Sequence, residues 1–186
     1  MTRDVNAQRG FSLVELAVVI GIIAIIIGGI WLGYSRLNEA RKDNQMVEEL
    51  TQLVEKIRSL YSARATTAGM TNTYLVTAGA VPTSMRTNNN ANLQDPWGNA
   101  VDVTPSAADT FQIQYRFLQR DSCIKFITAM LGGRDDMRLR RITVNGNNAF
   151  PDAAFPTGAL PTTRLVTVCN GTQNNNGIVF FYWLRR

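Results

Sequence analysis

Phe11 to Tyr34 reads FSLVELAVVIGIIAIIIGGIWLGY, 24 residues with a single charge, Glu15. As an α-helix it would extend about 36 Å at 1.5 Å per residue, enough to cross a hydrocarbon core of about 30 Å. Apolar residues fall on every face without a stripe of period 3.6, which argues against a helix buried in a soluble core. Gly21, Gly28, Gly29 and Gly33 interrupt the tract. Each glycine weakens a helix interior by about 1 kcal/mol relative to alanine, so the adjacent pair Gly28 and Gly29 is its weakest point. A carboxylate such as Glu15 is costly inside lipid. Either it snorkels to the headgroups or it meets a cation.

Upstream lies the short polar leader MTRDVNAQRG. Its Arg3 and Arg9 favour a cytoplasmic N-terminus, with everything after Tyr34 outside, against a weaker pull from Arg36, Arg41 and Lys42. A cleavable secretory signal would have a shorter apolar run followed by an A-x-A site. No such site follows Trp31 before the charged segment that opens at Arg36. Downstream, no Pro or Gly occurs between Ser35 and Ala68, and apolar residues recur at Leu37, Val47, Leu50, Val54, Ile57 and Tyr61, with Leu53 and Leu60 alongside. This helical spacing predicts an amphipathic half, 35–62, continuous with the apolar tract in one helix of about 50 residues.

The remaining chain, 63–186, is expected to form a globular head. Ala63 to Asn92 is a loop by composition with room for a short helix, and Asp95-Pro96-Trp97-Gly98-Asn99 is a turn. Strands are predicted at Ala100 to Val103, Phe111 to Phe117, Leu139 to Val144, Leu165 to Cys169 and Ile178 to Leu184, with a helix over Asp121 to Leu131. A sheet of about four antiparallel strands on the long helix makes an α+β head.

The 186 residues are 45% hydrophobic and 18% charged, with a formal net charge of +5. That composition suits one compact domain with an appendage and excludes a disordered chain or a large multidomain enzyme. There is no histidine, so the commonest general base and metal ligand is absent, and no nucleophile-base constellation stands out. No catalytic residue, metal or cofactor is expected. Two cysteines are too few for a four-ligand zinc site without histidine, leaving one disulfide or two thiols. Arg134, Arg138, Arg140, Arg141, Arg164, Arg185 and Arg186 offer a basic surface, but they are scattered, and no specific nucleic acid is expected as a partner. Tyr182 and Trp183 are expected in the core.

Gly10 followed by Phe11, with Glu15 as the fifth residue after that glycine and about twenty apolar residues behind it, resembles the class III signal of type IV prepilins and type II secretion pseudopilins. The resemblance implies a leader, 1–10, removed between Gly10 and Phe11 by prepilin peptidase at the cytoplasmic face, with N-methylation of Phe11. It implies storage in the bacterial inner membrane through 11–34, then polymerisation by pilus assembly machinery into a helical extracellular homopolymer. Cleavage would place an ammonium at Phe11 on a neighbouring subunit, and two unit charges about 4 Å apart gain on the order of 4 kcal/mol at an effective dielectric of 20. In the family this glutamate registers the incoming subunit. Many pilins carry a helix-breaking proline in the second half of the tract. None is present here. Gly28 and Gly29 would take that role in local melting over Ala24 to Gly33, unless they serve close helix packing instead.

The string DPWG-N is similar to a turn at the start of the sheet in many pseudopilins and some pilins. A pilin fold is implied, with the long helix packed on the sheet. Outside the cytoplasm thiols oxidise, so Cys123 and Cys169, 46 residues apart, are expected as a disulfide. The wide Cys separation, the leader and the size of the head lean toward the IVb branch, conjugative thin pili included. Phe11 is more typical of IVa. The leading expectation is a major pilus subunit; the same superfamily offers a pseudopilin or minor pilin. A signal-anchored periplasmic enzyme or binding domain would instead keep the Gly10–Phe11 bond and stay monomeric. Adhesion, conjugation and DNA uptake are all compatible with a pilus.

Overall fold

A computed structural model describes residues 12–64, 66–87, 92–133, 136–150, 162–171 and 176–184. Gly10, Phe11, Arg134, Arg185, Arg186 and the run Asn88 to Asn90 lie outside the described residues. The chain divides into two compact units, Met1–Arg41 and Lys42–Arg186.

Helix α1 runs Leu13–Tyr61 and passes through both units. Its hydrogen bonding starts where the Leu16 amide donates to the Ser12 carbonyl, 3.1 Å. In the second unit it buries Met46, Leu50, Leu53, Val54, Ile57 and Tyr61. These positions recur at intervals of three and four, the spacing that aligns side chains on one helix face. The sequence put Leu37 on the same stripe, but it is 62% exposed. Burial along this helix begins at Asp43.

The head is a six-stranded antiparallel sheet in the order β1-β2-β3-β6-β4-β5. Its strands are β1 Leu93–Gln94, β2 Ala100–Ala107, β3 Thr110–Leu118, β4 Leu139–Val144, β5 Asn147–Phe150 and β6 Asn176–Trp183. The expected number was about four. The extra two are edge strands: β1 has two residues, and β5, Asn-Asn-Ala-Phe, has no apolar alternation to reveal it. One face carries Val101 and Val103 of β2, Phe111, Ile113 and Tyr115 of β3, Ile142 and Val144 of β4, and Ile178, Phe180 and Tyr182 of β6. All of these are buried in one cluster with the α1 stripe. Period-two alternation delivers them to a single side.

Helix α3, Arg120–Gly132, closes the same core with Cys123, Phe126, Ile127 and Met130. The Phe126 ring meets Tyr115 edge-on at 4.9 Å and Phe180 at 5.0 Å. A short helix α2, Asn72–Thr77, is capped by the Thr71 hydroxyl, which accepts from the Tyr74 amide.

Leu165 to Cys169 is not a strand. Helix α4 spans Thr162–Val168, and the Cys169 amide donates to the Leu165 carbonyl, 2.9 Å. The β-branched composition suggests extended chain, but only Leu165 and Cys169 are buried while Val166 and Thr167 are exposed. That four-residue interval suits a helix.

Turns follow local chemistry. Asp95, buried, accepts from the Trp97 amide at 2.9 Å and the Asn99 amide at 2.8 Å through one oxygen, and from the Asn99 side chain at 3.0 Å through the other. Gly98, at φ +86°, completes the turn. Asn145 and Gly146, at φ +52° and +77°, form the two-residue loop between β4 and β5, the conformation such hairpins prefer. Phe117, in the bulge of β3 between Tyr115 and Leu118, has φ +59°. For a side chain of that size the left-handed region costs roughly 1–2 kcal/mol.

Burial pushes the Tyr115 and Tyr182 hydroxyls well above their usual range. Tyr115 finds no hydrogen-bond partner among the described residues. The folded chain therefore holds two protons that unfolded tyrosines release near pH 10. Stability from this source is complete below that pH and declines as pH rises above it. Urea unfolding at pH 7 and pH 11 should show Tyr115→Phe unchanged or about 1 kcal/mol more stable at neutrality, with a smaller alkaline loss. A variant destabilised at pH 7 would show that the hydroxyl has a partner.

Candidate functional site

Glu15 stands in the first turn of α1 and is exposed. A carboxylate there is favoured by the positive end of the helix dipole. Around it the apolar side chains are uncovered, from Leu13 at 83% exposed to Trp31 at 75%. The most apolar 18-residue window of α1 has a mean hydropathy of 2.8 and nothing in it is buried, so the helix is long and apolar enough to cross a membrane. An apolar surface this extensive requires a cover of lipid or of other helices. A Cβ added at Gly28 or Gly29 would meet no atom within 4 Å. Among the described residues, no contact demands glycine at either position.

In the second unit, Cys123 of α3 and Cys169, just past α4, form a disulfide with Cα atoms 6.0 Å apart. Arg58 of α1 is half-buried and donates to the carbonyl oxygens of Met137 and Trp183, the latter at 3.3 Å, so it clamps two segments of the head to the helix. Burial first, and then the Arg138 charge, lower its pKa to about 10, leaving it protonated at neutral pH. Asp43 on α1 is buried and pairs with Lys125 on α3 at 2.8 Å.

Sequence reasoning missed Asn176. Wholly buried, it donates to the Leu118 carbonyl at 3.1 Å and accepts from the Gly171 amide at 2.8 Å and the Asn145 side chain at 3.1 Å. It joins β3, β6 and the end of the disulfide segment. An asparagine in a polar run gives no signal of this. Trp183, expected in the core, points to the outer sheet face with Phe181, and Arg140 and Arg141 lie over these rings at 4.2 and 4.8 Å. Strict alternation from buried Phe180 and Tyr182 would have placed them there. Among the described residues no three of His, Cys, Asp and Glu converge as metal ligands.

A family model described as PilS N terminal matches residues 40–182, and one described as Prokaryotic N-terminal methylation motif matches residues 5–31. The chain is similar to the major structural subunit of bundle-forming pilus from Escherichia coli O111:H-, 24% identical over 183 residues covering 94% of both chains. The protein of that name from E. coli O127:H6 (strain E2348/69 / EPEC) matches to the same extent. Among solved structures, the type IV b pilin from Salmonella typhi aligns with a TM-score of 0.52 at 20% identity, covering 73% of this chain and 97% of that one. TcpA, a type IV pilin from Vibrio cholerae El Tor biotype, aligns at 0.51 and 17% identity, covering 76% and 98%. These two likenesses concern the fold.

The disulfide closes a 46-residue separation, and restricting a loop of that size in the unfolded chain stabilises by about 4 kcal/mol in the entropy model. Replacing both cysteines by alanine should lower stability by about 2–4 kcal/mol in urea unfolding. An unchanged midpoint would show that the bridge adds nothing to folding.

Proposed function

The chain belongs to the PilS N-terminal family and is a type IV pilin of IVb-like form, and from that premise we propose that it is the major structural subunit of a type IV pilus. The observation that carries this reading is the uncovered apolar half of α1 with one carboxylate, Glu15, in its first turn. Before assembly, lipid of the inner membrane covers this helix. After assembly, the same helices from other copies of the chain replace the lipid in an extracellular filament.

Prepilin peptidase cuts between Gly10 and Phe11 and the new Phe11 terminus is methylated, in keeping with the methylation motif over residues 5–31. The resulting cation satisfies Glu15 of a neighbouring subunit, and the pair fixes the register of the incoming helix. The pilus assembly machinery moves the subunit from lipid to filament. Gly28 and Gly29 let the helix extend over Ala24 to Gly33 within the fibre. Their open surroundings in the isolated chain are compatible with this. The Asp95 turn favours a second reading, a pseudopilin or minor pilin, which differs in abundance: a major subunit dominates a sheared fibre preparation.

N-terminal sequencing and mass analysis of sheared filaments should give a chain that starts at N-methylated Phe11. Glu15→Ala should reduce filament yield about tenfold or more at equal membrane levels, since a pair worth on the order of 4 kcal/mol is lost. Filaments starting at Met1, or full yield from Glu15→Ala, would overturn this account. Amide exchange in filaments should be fast over Ala24 to Gly33 and slower in Gly28→Ala/Gly29→Ala, which restores about 1 kcal/mol of helix propensity per site. Equal protection of this segment and Val14 to Ile23 in the wild type would assign the glycines to packing instead.

A further inference from the structure

Phe117 is held in a backbone conformation that its own packing does not repay. It sits at φ +59° in the β3 bulge, a conformation that glycine adopts freely, yet the residue is 55% exposed. The neighbouring left-handed residues are accounted for. Asn145 and Gly146 make a hairpin turn, and the Asn145 side chain is fixed, accepting from the Gly177 amide at 2.9 Å and donating to Asn176 and to the Val168 carbonyl. Strain at an exposed aromatic points to a ligand for the ring.

The surroundings define the chemistry of that ligand. Phe117 lines an open depression of about 340 Å³ with Val179, Gly177, Gln114 and Arg116. That volume lies at the small end of ligand sites. Phe117 and Val179 provide apolar carbon, and Gly177 contributes no side chain to obstruct approach. Gln114 is paired through its backbone in the sheet, while its side-chain carboxamide makes no hydrogen bond among the described residues. Arg116 is held by Asp102 at 2.7 Å, so its charge is balanced while spare donors and acceptors of the pair face water. A protein partner would need roughly 800 Å² on this side with an apolar centre, and Phe117 does not supply it, since the half-buried Phe181 and Trp183 rings of the outer sheet face lie under Arg141 and Arg140. A balanced charge also does not select an anion. A flat, neutral molecule with a C–H face and hydroxyls at its edge matches on every count.

We propose that this depression binds a pyranose unit of a neutral saccharide, stacked on Phe117, with its hydroxyls bonded to Gln114 and to the Arg116–Asp102 pair. The site lies wholly on the head and stands apart from the assembly reading. The test is saturation-transfer NMR on the full chain in a detergent without a sugar headgroup, with lactose and maltose as probes. Wild type should transfer saturation to the ring protons of at least one disaccharide. Phe117→Gly should abolish transfer while melting no lower than wild type, because glycine relieves the backbone strain. Gln114→Ala should weaken transfer severalfold without changing the melting temperature. Absence of transfer to both sugars, transfer that survives Phe117→Gly, or a clear fall in its melting temperature would overturn the proposal. So would self-association of the wild type that disappears in Phe117→Gly without any sugar signal, since the ring would then serve a second copy of the chain.

Discussion

The C-terminal strand β6 lies between β3 and β4, and the head depends on that insertion. Without it the sheet would be two pieces, β1-β2-β3 and β4-β5, each with an unpaired edge. β6 supplies both missing ladders, pairing Ile113 with Phe180 on one side and Ile142 with Phe180 on the other. The same strand contributes Ile178, Phe180 and Tyr182 to the core that receives α1. A sheet closed by its last strand forms only after distant parts of the chain meet, and such long-range pairing is intrinsically slow to fold.

This order also explains where the disulfide belongs. Everything between Leu118 and Asn176 is an excursion from two paired positions, since these residues are partners in the β3–β6 ladder and Asn176 also bonds to the Leu118 carbonyl. Cys123 lies just after the outgoing end and Cys169 just before the returning one. The bridge ties the base of the excursion, which contains α3, β4, β5 and α4. Its effect falls on the segment it encloses, while the β2–β3–β6 pairing rests on hydrogen bonds and apolar burial alone.

How much of this the sequence reveals depends on whether a residue's environment is set locally. The alternation of Phe111, Ile113 and Tyr115 and the helical stripe from Leu50 to Tyr61 are local patterns, and both correspond to the elements found. The motif at Gly10, Phe11 and Glu15 is equally local, and the family model of the methylation motif matches residues 5–31 across it. The β4-to-β6 region is different. There Val and Thr at 165–169 favour a strand by propensity, and a helix forms because only Leu165 and Cys169 must be buried. Asn176 shows the same limit from the polar side, because two of its three partners, Leu118 and Asn145, lie 58 and 31 residues away.

Along α1 a single helix meets two different demands. From Met46 to Tyr61 it needs only one apolar face, and the intervening positions are free to carry Glu48, Glu55 and Lys56. From Leu13 to Trp31 every face is apolar, and none of these side chains is buried among the described residues. A helix that requires cover all round cannot be satisfied by one flat sheet face, whatever its sequence. It needs a medium, or neighbours on several sides. Lipid provides the first without any specificity of register, whereas a bundle of like helices needs a device that selects one axial position. A buried carboxylate can do that, because its cost in an apolar setting is relieved only where a cation comes within a few ångströms. In the assembly proposed above that role falls to Glu15, the one acidic residue in this tract, because the surrounding Ile, Val and Leu side chains encode no axial position.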